Sequence, residues 1–162
     1  MELFQCFLYV LLLGVASHFV GQALPRQWFD PDGRTFRMHG WELDGKFYQK
    51  IHIRQWKDKL PDASKFMSDM YRKEVSRTPS EENLKRLVEE SCVAEFIHKL
   101  LILLSLYVVK IWGGKAGWIC WLLCVLGNLP FIFIQRFNRP RLRSALLHMQ
   151  EKSNTEATPK GI

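Results

Sequence analysis

The distribution of charged residues along the chain limits its possible folds more strongly than its average composition does. Residues 3–24 contain no Asp, Glu, Lys or Arg, residues 25–90 are densely charged with both signs, and residues 92–134 are again mostly apolar. A helix needs about 20 apolar residues to cross the roughly 30 Å hydrocarbon core of a bilayer. The sequence therefore predicts a mainly α-helical, small integral membrane protein, although its mean hydropathy of −0.11 gives no sign of one.

The first apolar block has two interpretations. Gly21 and Ala23 resemble the small residues of a signal-peptide cleavage site, and the block is long enough for either role. The residues before it are Met1 and Glu2, however, where a signal peptide usually has Lys or Arg. We favour a retained N-terminal span, with a cleaved signal peptide as the alternative.

The second apolar block divides at Gly113-Gly114-Lys115, which is a turn signal containing a charge. Residues 94–112 and 116–135 then form a transmembrane helical hairpin. Tryptophans cluster around the turn, as expected for rings at a headgroup layer: Trp112, Trp118 and Trp121. A buried helical hairpin of a soluble protein is the alternative.

These boundaries divide the chain into four parts. They are a transmembrane segment or signal peptide (1–24), a charged interfacial or cytoplasmic segment (25–91), the transmembrane hairpin (92–137), and a basic motif with a flexible tail (138–162). Lys and Arg are concentrated in the second and fourth parts, and such residues favour the cytoplasmic side. With a net charge of +7, we expect a multi-pass membrane protein with its N-terminus outside and its charged segment and tail in the cytoplasm.

Residues 46–60 mix aromatic residues with cations, which suits a membrane surface. In this interpretation Phe47, Ile51 and Trp56 insert between headgroups, while cations such as Lys57 contact phosphates. The alternative is a small cap that packs on its own aromatic core. Trp56 and Lys57 are candidate substrate-binding residues in either case.

Glu95 and His98 form the best catalytic pair in the sequence. They lie three residues apart on a predicted helix and therefore share one face. A histidine can accept a proton from an attacking hydroxyl, and a neighbouring carboxylate can orient the imidazole. Ionisable residues at a membrane margin are costly unless they are used, although a structural pair would look the same.

A basic run follows the last apolar block at the point where a helix would leave the membrane: Gln135-Arg136-Phe137-Asn138-Arg139-Pro140-Arg141-Leu142. Arginine binds phosphate or carboxylate bidentately, so the run could bind an anionic ligand or simply anchor the helix end. We expect Pro140 to end the helix and Arg139 to be extended.

An antiparallel hairpin would bring these features together. Counting back from the Gly113-Gly114 turn at about 1.5 Å per residue places His98 level with Asn128 to Pro130, and Glu95 just below Arg136. Pro130 should kink its helix and open space beside Asn128.

Other common functional motifs are missing from the sequence. It contains no Walker loop, GxSxG elbow or dinucleotide fingerprint, and Cys120 and Cys124 lack the spacing and histidines of a zinc site. We expect the cysteines to serve packing, and we predict no metal site, no bound cofactor and no nucleic-acid partner.

Several motifs together resemble one known family, the glycosyl-4,4'-diaponeurosporenoate acyltransferases. The resemblance covers roughly residues 47–149 and depends on the basic run described above and on three further motifs: Trp56-Lys57-Asp58-Lys59-Leu60-Pro61-Asp62, Ala94-Glu95-Phe96-Ile97-His98 and Asn128-Leu129-Pro130. Members of the family are small bacterial membrane proteins that esterify a fatty acyl chain to the primary C6 hydroxyl of glucose in the carotenoid staphyloxanthin.

The resemblance implies an acyltransferase. Its partners would be the lipid membrane, a glycosylated carotenoid or other glycolipid, and an acyl donor such as acyl-CoA or a similar thioester. Under this hypothesis His98, oriented by Glu95, is the general base, and Asn138 or Asn128 stabilises the oxyanion. The anionic part of the donor would be bound by arginines: Arg136, Arg139 and Arg141.

Two other functions stay open from the sequence. A non-catalytic membrane protein could use the arginines to hold anionic lipids or the acidic surface of a partner. A small membrane methyltransferase or reductase could use them to hold a different anionic cofactor.

Overall fold

The computed structural model describes residues 1–60 and 80–157, and all regular secondary structure in this part of the chain is helical. The α-helices are α1 (Glu2–Ala23), α2 (Lys46–Lys50), α3 (Ile53–Trp56), α4 (Glu81–Ser105), α5 (Val108–Trp112) and α6 (Gly114–Ala157). Single 3₁₀ turns occupy Arg26–Trp28, Gly40–Gly45 and Lys57–Lys59. The predicted fold class is confirmed.

Three stretches of helix are long and apolar enough to cross a membrane: Glu2–Ala23, Glu81–Trp112 and Gly114–Thr155. They correspond to the three predicted spans, with longer ends on the charged side. The outward face of α1 consists of exposed apolar side chains, as a lipid-facing helix requires: Phe4, Phe7, Leu11, Leu12 and Phe19.

Helix α1 packs antiparallel to α4 and α5. Near its start, the Tyr9 hydroxyl donates to the carbonyl of Leu104 at 2.9 Å. Near its end, a Cβ placed on Gly21 would lie 3.4 Å from Ile97. The N-terminus therefore lies at the same end of the bundle as the Gly113-Gly114 turn, opposite the charged segment.

Helices α4 and α6 form the predicted hairpin. Ser80 caps the start of α4, since its side chain accepts from the amide of Asn83 at 3.2 Å. The turn itself uses Gly113 and Gly114, whose positive φ angles of 61° and 53° suit glycine.

The prediction that Pro140 ends the last helix is wrong. Helix α6 passes through both Pro130 and Pro140 and continues to Ala157, so the basic run and most of the predicted flexible tail are helical. A proline costs one backbone hydrogen bond, but tertiary contacts can offset that loss. Here Arg139, just before the proline, bonds to α4, and Gln150 donates to Glu81 at 2.6 Å further along. Residues 158–162 lie outside the described part.

The charged segment packs on the half of the hairpin that lies away from the Gly113-Gly114 turn, through two apolar clusters. In the first, Tyr48 and Ile53 meet Ile134 and Phe137 of α6, with more aliphatic and aromatic side chains around them: Phe47, Ile51, Trp56, Leu60 and Phe133. The second is centred on Phe29, Cys92 and Val93. Residues 46–60 thus pack in an apolar cluster, as the cap interpretation expects, and their place at a membrane surface stays a prediction. Pro61 and Asp62 of the predicted motif lie outside the described residues.

Candidate active site at the charged end of the hairpin

His98 of α4 faces Asn128 of α6, as the hairpin geometry predicts. Its Nδ1 lies 2.8 Å from Asn128 Oδ1. The imidazole also stacks on Phe131, with ring centroids 4.7 Å apart and planes 7° from parallel. A hydrogen bond in the ring plane and a stacked ring on its face together fix the position of the imidazole.

The bond also determines which nitrogen of the neutral ring carries the proton. The amide nitrogen of Asn128 donates to the carbonyl of Cys124 at 2.8 Å, which leaves its oxygen pointing at His98. An amide oxygen only accepts, so Nδ1 of His98 is the donor and Nε2 has the lone pair. A neutral imidazole with this tautomer can act as a base through Nε2.

The partners of Glu95 in the structure are cations. Its side chain is fully buried, and its two oxygens accept from Arg136 at 2.7 Å, Arg139 at 2.6 Å and Lys99 at 2.5 Å. The sequence pattern predicts that Glu95 orients His98. In the structure Asn128 contacts His98 instead, because Glu95 binds the two arginines of α6. Buried carboxylates are stable only when charged donors surround them in this way.

A second buried carboxylate, Glu42, completes the network. Its oxygens accept from Nη2 of Arg136 at 2.5 Å and Nε at 3.1 Å, from the amide of His39 at 2.6 Å, and from the hydroxyl of Tyr48. Burial acts to raise the pKa of Glu42, but the hydrogen bonds and charge of Arg136, with those from Tyr48 and His39, together lower it. Burial and the bond to Glu42 raise the pKa of Tyr48 well above its ordinary value.

The two buried arginines also hold a loop that has no regular structure. Arg136 donates to the carbonyls of Thr35 at 3.3 Å and Arg37 at 2.9 Å, and Arg139 donates to that of Phe36 at 2.8 Å. Three successive carbonyls of the loop therefore bond to guanidinium groups of α6.

Arg139 connects the same helix to α4. It donates to the hydroxyl of Ser91 at 2.8 Å and to the Ser91 carbonyl at 2.9 Å, besides its bond to Glu95. Both arginines are only 4% exposed. The arginines at 136 and 139 thus join helices α4 and α6 to the loop.

The other predicted site residues are more dispersed. Arg141 lies on a different face of α6, with its guanidinium over the Phe137 ring, 3.6 Å from the centroid. Asn138 is half-buried. The Trp56 indole packs in the first apolar cluster and donates to the carbonyl of Ile51 at 2.9 Å, next to Lys57 in the chain.

An open cavity of about 430 Å³ lies between the loop and α6. Arg136 and Arg139 form its inner wall, and its rim contains both basic and apolar side chains: Pro31, Phe36, Arg37, Met38, Arg143 and Leu147. His98 lies deeper in the bundle and does not line this cavity. Within the described residues, no group of three or more His, Cys, Asp or Glu side chains could hold a metal ion.

Sequence reasoning missed Glu42 and Ser91. Ser91 lies four residues before Glu95 on the same helical face, so its spacing could have identified it. Glu42 lies in the short 3₁₀ segment Gly40–Gly45, which has too few residues for periodicity to indicate which side chains are buried.

Comparison with known proteins identifies the family. Residues 25–148 match the family model described as glycosyl-4,4'-diaponeurosporenoate acyltransferase. The chain belongs to this family. Proteins of that name from Staphylococcus aureus are similar to it. The protein of strain Newman is 28% identical over 151 residues, which cover 92% of this chain and 90% of the relative. The protein of strain MRSA252 is 29% identical over 145 residues, which cover 88% of this chain and 87% of the relative.

The matched region contains both halves of the site, the loop with Glu42 and the hairpin with His98 and Asn128. The acyltransferase class predicted from the sequence is confirmed at the level of the family. No solved structure matches the chain.

Proposed function

We propose that this protein transfers a fatty acyl chain from an acyl thioester, such as acyl-CoA, to a primary sugar hydroxyl of a glycosylated carotenoid or related glycolipid. The reaction would occur at the cytoplasmic boundary of a bacterial cell membrane. The observation that carries the proposal is the His98 to Asn128 hydrogen bond inside the family-matched region. The names of the relatives support this choice of acceptor, and three membrane-length helices suit a long apolar substrate.

In this proposal His98 is the general base. Nε2 removes the proton of the sugar hydroxyl as its oxygen attacks the thioester carbonyl, which forms a tetrahedral oxyanion. Collapse of the oxyanion breaks the carbon to sulfur bond, and the leaving thiolate takes the proton from the imidazolium. The products are an ester and a free thiol, with His98 neutral again.

Asn128 would act as a positioning residue, since its amide is used to orient His98. Asn138, the other oxyanion donor predicted from the sequence, lies ten residues further along α6, about 15 Å from the level of Asn128, and is too distant to contact an oxyanion formed beside His98. Glu95 would serve His98 indirectly by fixing Arg136 and Arg139, which define the charged end of the hairpin. The network contains two carboxylates and three cations, so it offers one excess positive charge near an anionic donor.

Acyl transfer in membranes tests the proposal. With radiolabelled acyl-CoA and glucosylated carotenoid, we expect His98→Ala to lower the rate by about a hundredfold or more, the usual contribution of a general base. His148→Ala is the matched control, because His148 is an exposed histidine with a surface partner, Glu151, at 3.6 Å. Full activity in His98→Ala membranes would refute the base assignment.

One observation favours a second function, a non-catalytic membrane protein whose buried arginines are structural. All five N–H groups of Arg136 bond to protein acceptors, so its burial is explained by structure alone. Purified protein that binds glycolipid and acyl-CoA, yet forms no ester with any acceptor in a mixed glycolipid panel, would support this alternative.

A further inference from the structure

A second groove lies along α6, next to α2 and α3. It has a cavity of about 360 Å³ whose lining includes His52, Arg54, Gln55 and Phe137. A neighbouring cavity of about 240 Å³ contains Arg141. The two cavities share a wall made of Tyr48, Gln49 and Phe137.

The groove brings together two arginines of like charge. Arg54 of α3 lines one of the two cavities and Arg141 of α6 lines the other, next to the wall that the cavities share. In the part of the chain that the structure describes, neither one forms an ion pair. Other arginines of the described chain, such as Arg26, Arg136 and Arg139, have a carboxylate partner. Like charges placed together without a counter-charge are destabilising unless a ligand neutralises them.

Arg141 is held in a fixed orientation. Its guanidinium lies over the Phe137 ring, 3.6 Å from the centroid, and one Nη donates to the carbonyl of Phe137. These two contacts fix the group and use one of its five N–H donors. A planar fork fixed in this way can bind two oxygens of one anion with little loss of side-chain entropy.

Neutral polar groups surround the two charges. Gln49 borders both cavities, and Gln55 and His52 line the one beside Arg54. The groove therefore offers several donors and two cations in the part of α6 where its apolar stretch meets the charged segment.

We propose that Arg54 and Arg141 form a binding site for a phosphate group at the membrane surface. Two sources carry this chemistry, the phosphates of a nucleotide-linked acyl donor and the phosphate of an anionic lipid headgroup. A phosphate accepts bidentately from each guanidinium and removes their repulsion. The link to the acyl donor rests on the proposed function, whereas the phosphate site itself does not.

Binding measurements on the full-length protein test the site. In nanodiscs of phosphatidylcholine we would titrate coenzyme A, and for the lipid arm we would measure binding of the detergent-purified protein to vesicles containing phosphatidylglycerol. We expect Arg54→Ala and Arg141→Ala each to weaken binding of one probe by about tenfold or more, the loss for a charge-assisted bond. Arg34→Ala is the control, because it removes one exposed arginine that lines neither cavity.

The two arms identify the source. A loss confined to coenzyme A would assign the site to the acyl donor, and a loss confined to phosphatidylglycerol vesicles would assign it to a lipid headgroup. Binding of both probes by Arg54→Ala at the level of Arg34→Ala would overturn the proposal.

Thermal stability provides a second, independent measurement. Because Arg54 repels Arg141 in the free protein, we expect Arg54→Ala to leave the melting temperature unchanged or higher without ligand. The binding probe should then raise the melting temperature of wild type and not that of the variant. A clear fall in the ligand-free variant would show that Arg54 is structural and would overturn the proposal. If wild type binds coenzyme A or phosphatidylglycerol through these arginines but forms no ester, only the proposed function is refuted.

Discussion

Glu42 and Glu95 are two carboxylates buried at the end of a helical hairpin, and arginine donors stabilise both of them. Removing one partner from such a pair costs about 3 to 5 kcal/mol, since the remaining charge stays buried. Arg136 contacts both carboxylates, so losing either one changes the environment of the other.

The buried charge of Glu42 predicts a dependence of stability on pH. Its folded pKa lies below the ordinary value of 4.5, so its contribution is present above that value and is lost as the pH falls through the lowered pKa. We expect Glu42→Gln to be less stable than wild type at pH 7, with the difference shrinking as the pH is lowered below about 4.5. Thermal melts in detergent at a series of pH values measure both quantities.

A comparison with Asp32→Asn controls for the general effect of removing a carboxylate. Asp32 pairs with Arg143, and both side chains are substantially exposed, so we expect a change of less than about 1 kcal/mol at pH 7. Acidic groups that do not contact Arg136 are common to wild type and variant and therefore cancel in the difference. A difference that stays constant from pH 7 to pH 3 would contradict the role given to Glu42.

At the scale of the elements, the hairpin depends on a close approach at its turn. Helix α6 begins directly after Gly113, and its first turn lies against α5. A Cβ on Gly117 would come within 2.8 Å of Cα and 3.1 Å of the carbonyl oxygen of Val109. Backbone atoms cannot move aside as a flexible side chain can, so only glycine fits here.

We therefore expect Gly117→Ala to push α5 away from α6 and to destabilise the protein by about 1 to 3 kcal/mol, the usual cost of overpacking. Gly127 is the matched control in the same helix, because a Cβ there meets nothing within 4 Å. Gly127→Ala should be neutral or stabilising by up to about 1 kcal/mol through helix propensity. Melting temperatures of the two variants test this, and equal effects would contradict the proposed contact.

Some features of the hairpin could be predicted from the sequence, and others could not. The level of His98 against Asn128 follows from helical rise and a glycine turn, both of which are local properties. The continuation of α6 through Pro140 does not follow from local properties, because a proline and the residue before it favour a helix end. Buried hydrogen bonds from Arg139 to Ser91, distant in sequence, favour the helix instead.

At the scale of the whole molecule, the helical bundle has one mainly apolar end and one charged end. The glycine turn and the N-terminus share one end, and the charged segment with the buried network occupies the other. This arrangement agrees with the orientation predicted from Lys and Arg, in which the charged end is cytoplasmic. The orientation itself stays a prediction.

Cysteine accessibility in intact cells tests the orientation. In a variant without the four native cysteines, we expect a cysteine at Lys115 to react with a membrane-impermeant maleimide added outside. A cysteine at Arg34, in the charged segment, should react only after the cells are permeabilised. The opposite pattern would mean that the positive-inside rule fails for this chain.

The sequence predicted the spans well and the site only in part. Long apolar runs need no partner to be recognised, since the bilayer alone decides their length. Choosing between His98 and the arginines as partners of Glu95 requires knowing which side chains converge from α6. That convergence depends on helix rotation, which the sequence pattern left undetermined.

The loop carbonyls of Thr35, Phe36 and Arg37 have a consequence for synthesis. Their donors lie on α6, with Arg136 following Thr35 by 101 residues. The loop leaves the ribosome long before those donors exist, so it cannot reach its final conformation until the last helix has been inserted. The wall of the 430 Å³ cavity therefore forms at the end of biogenesis, and a chain stalled before residue 136 has no cavity to fill.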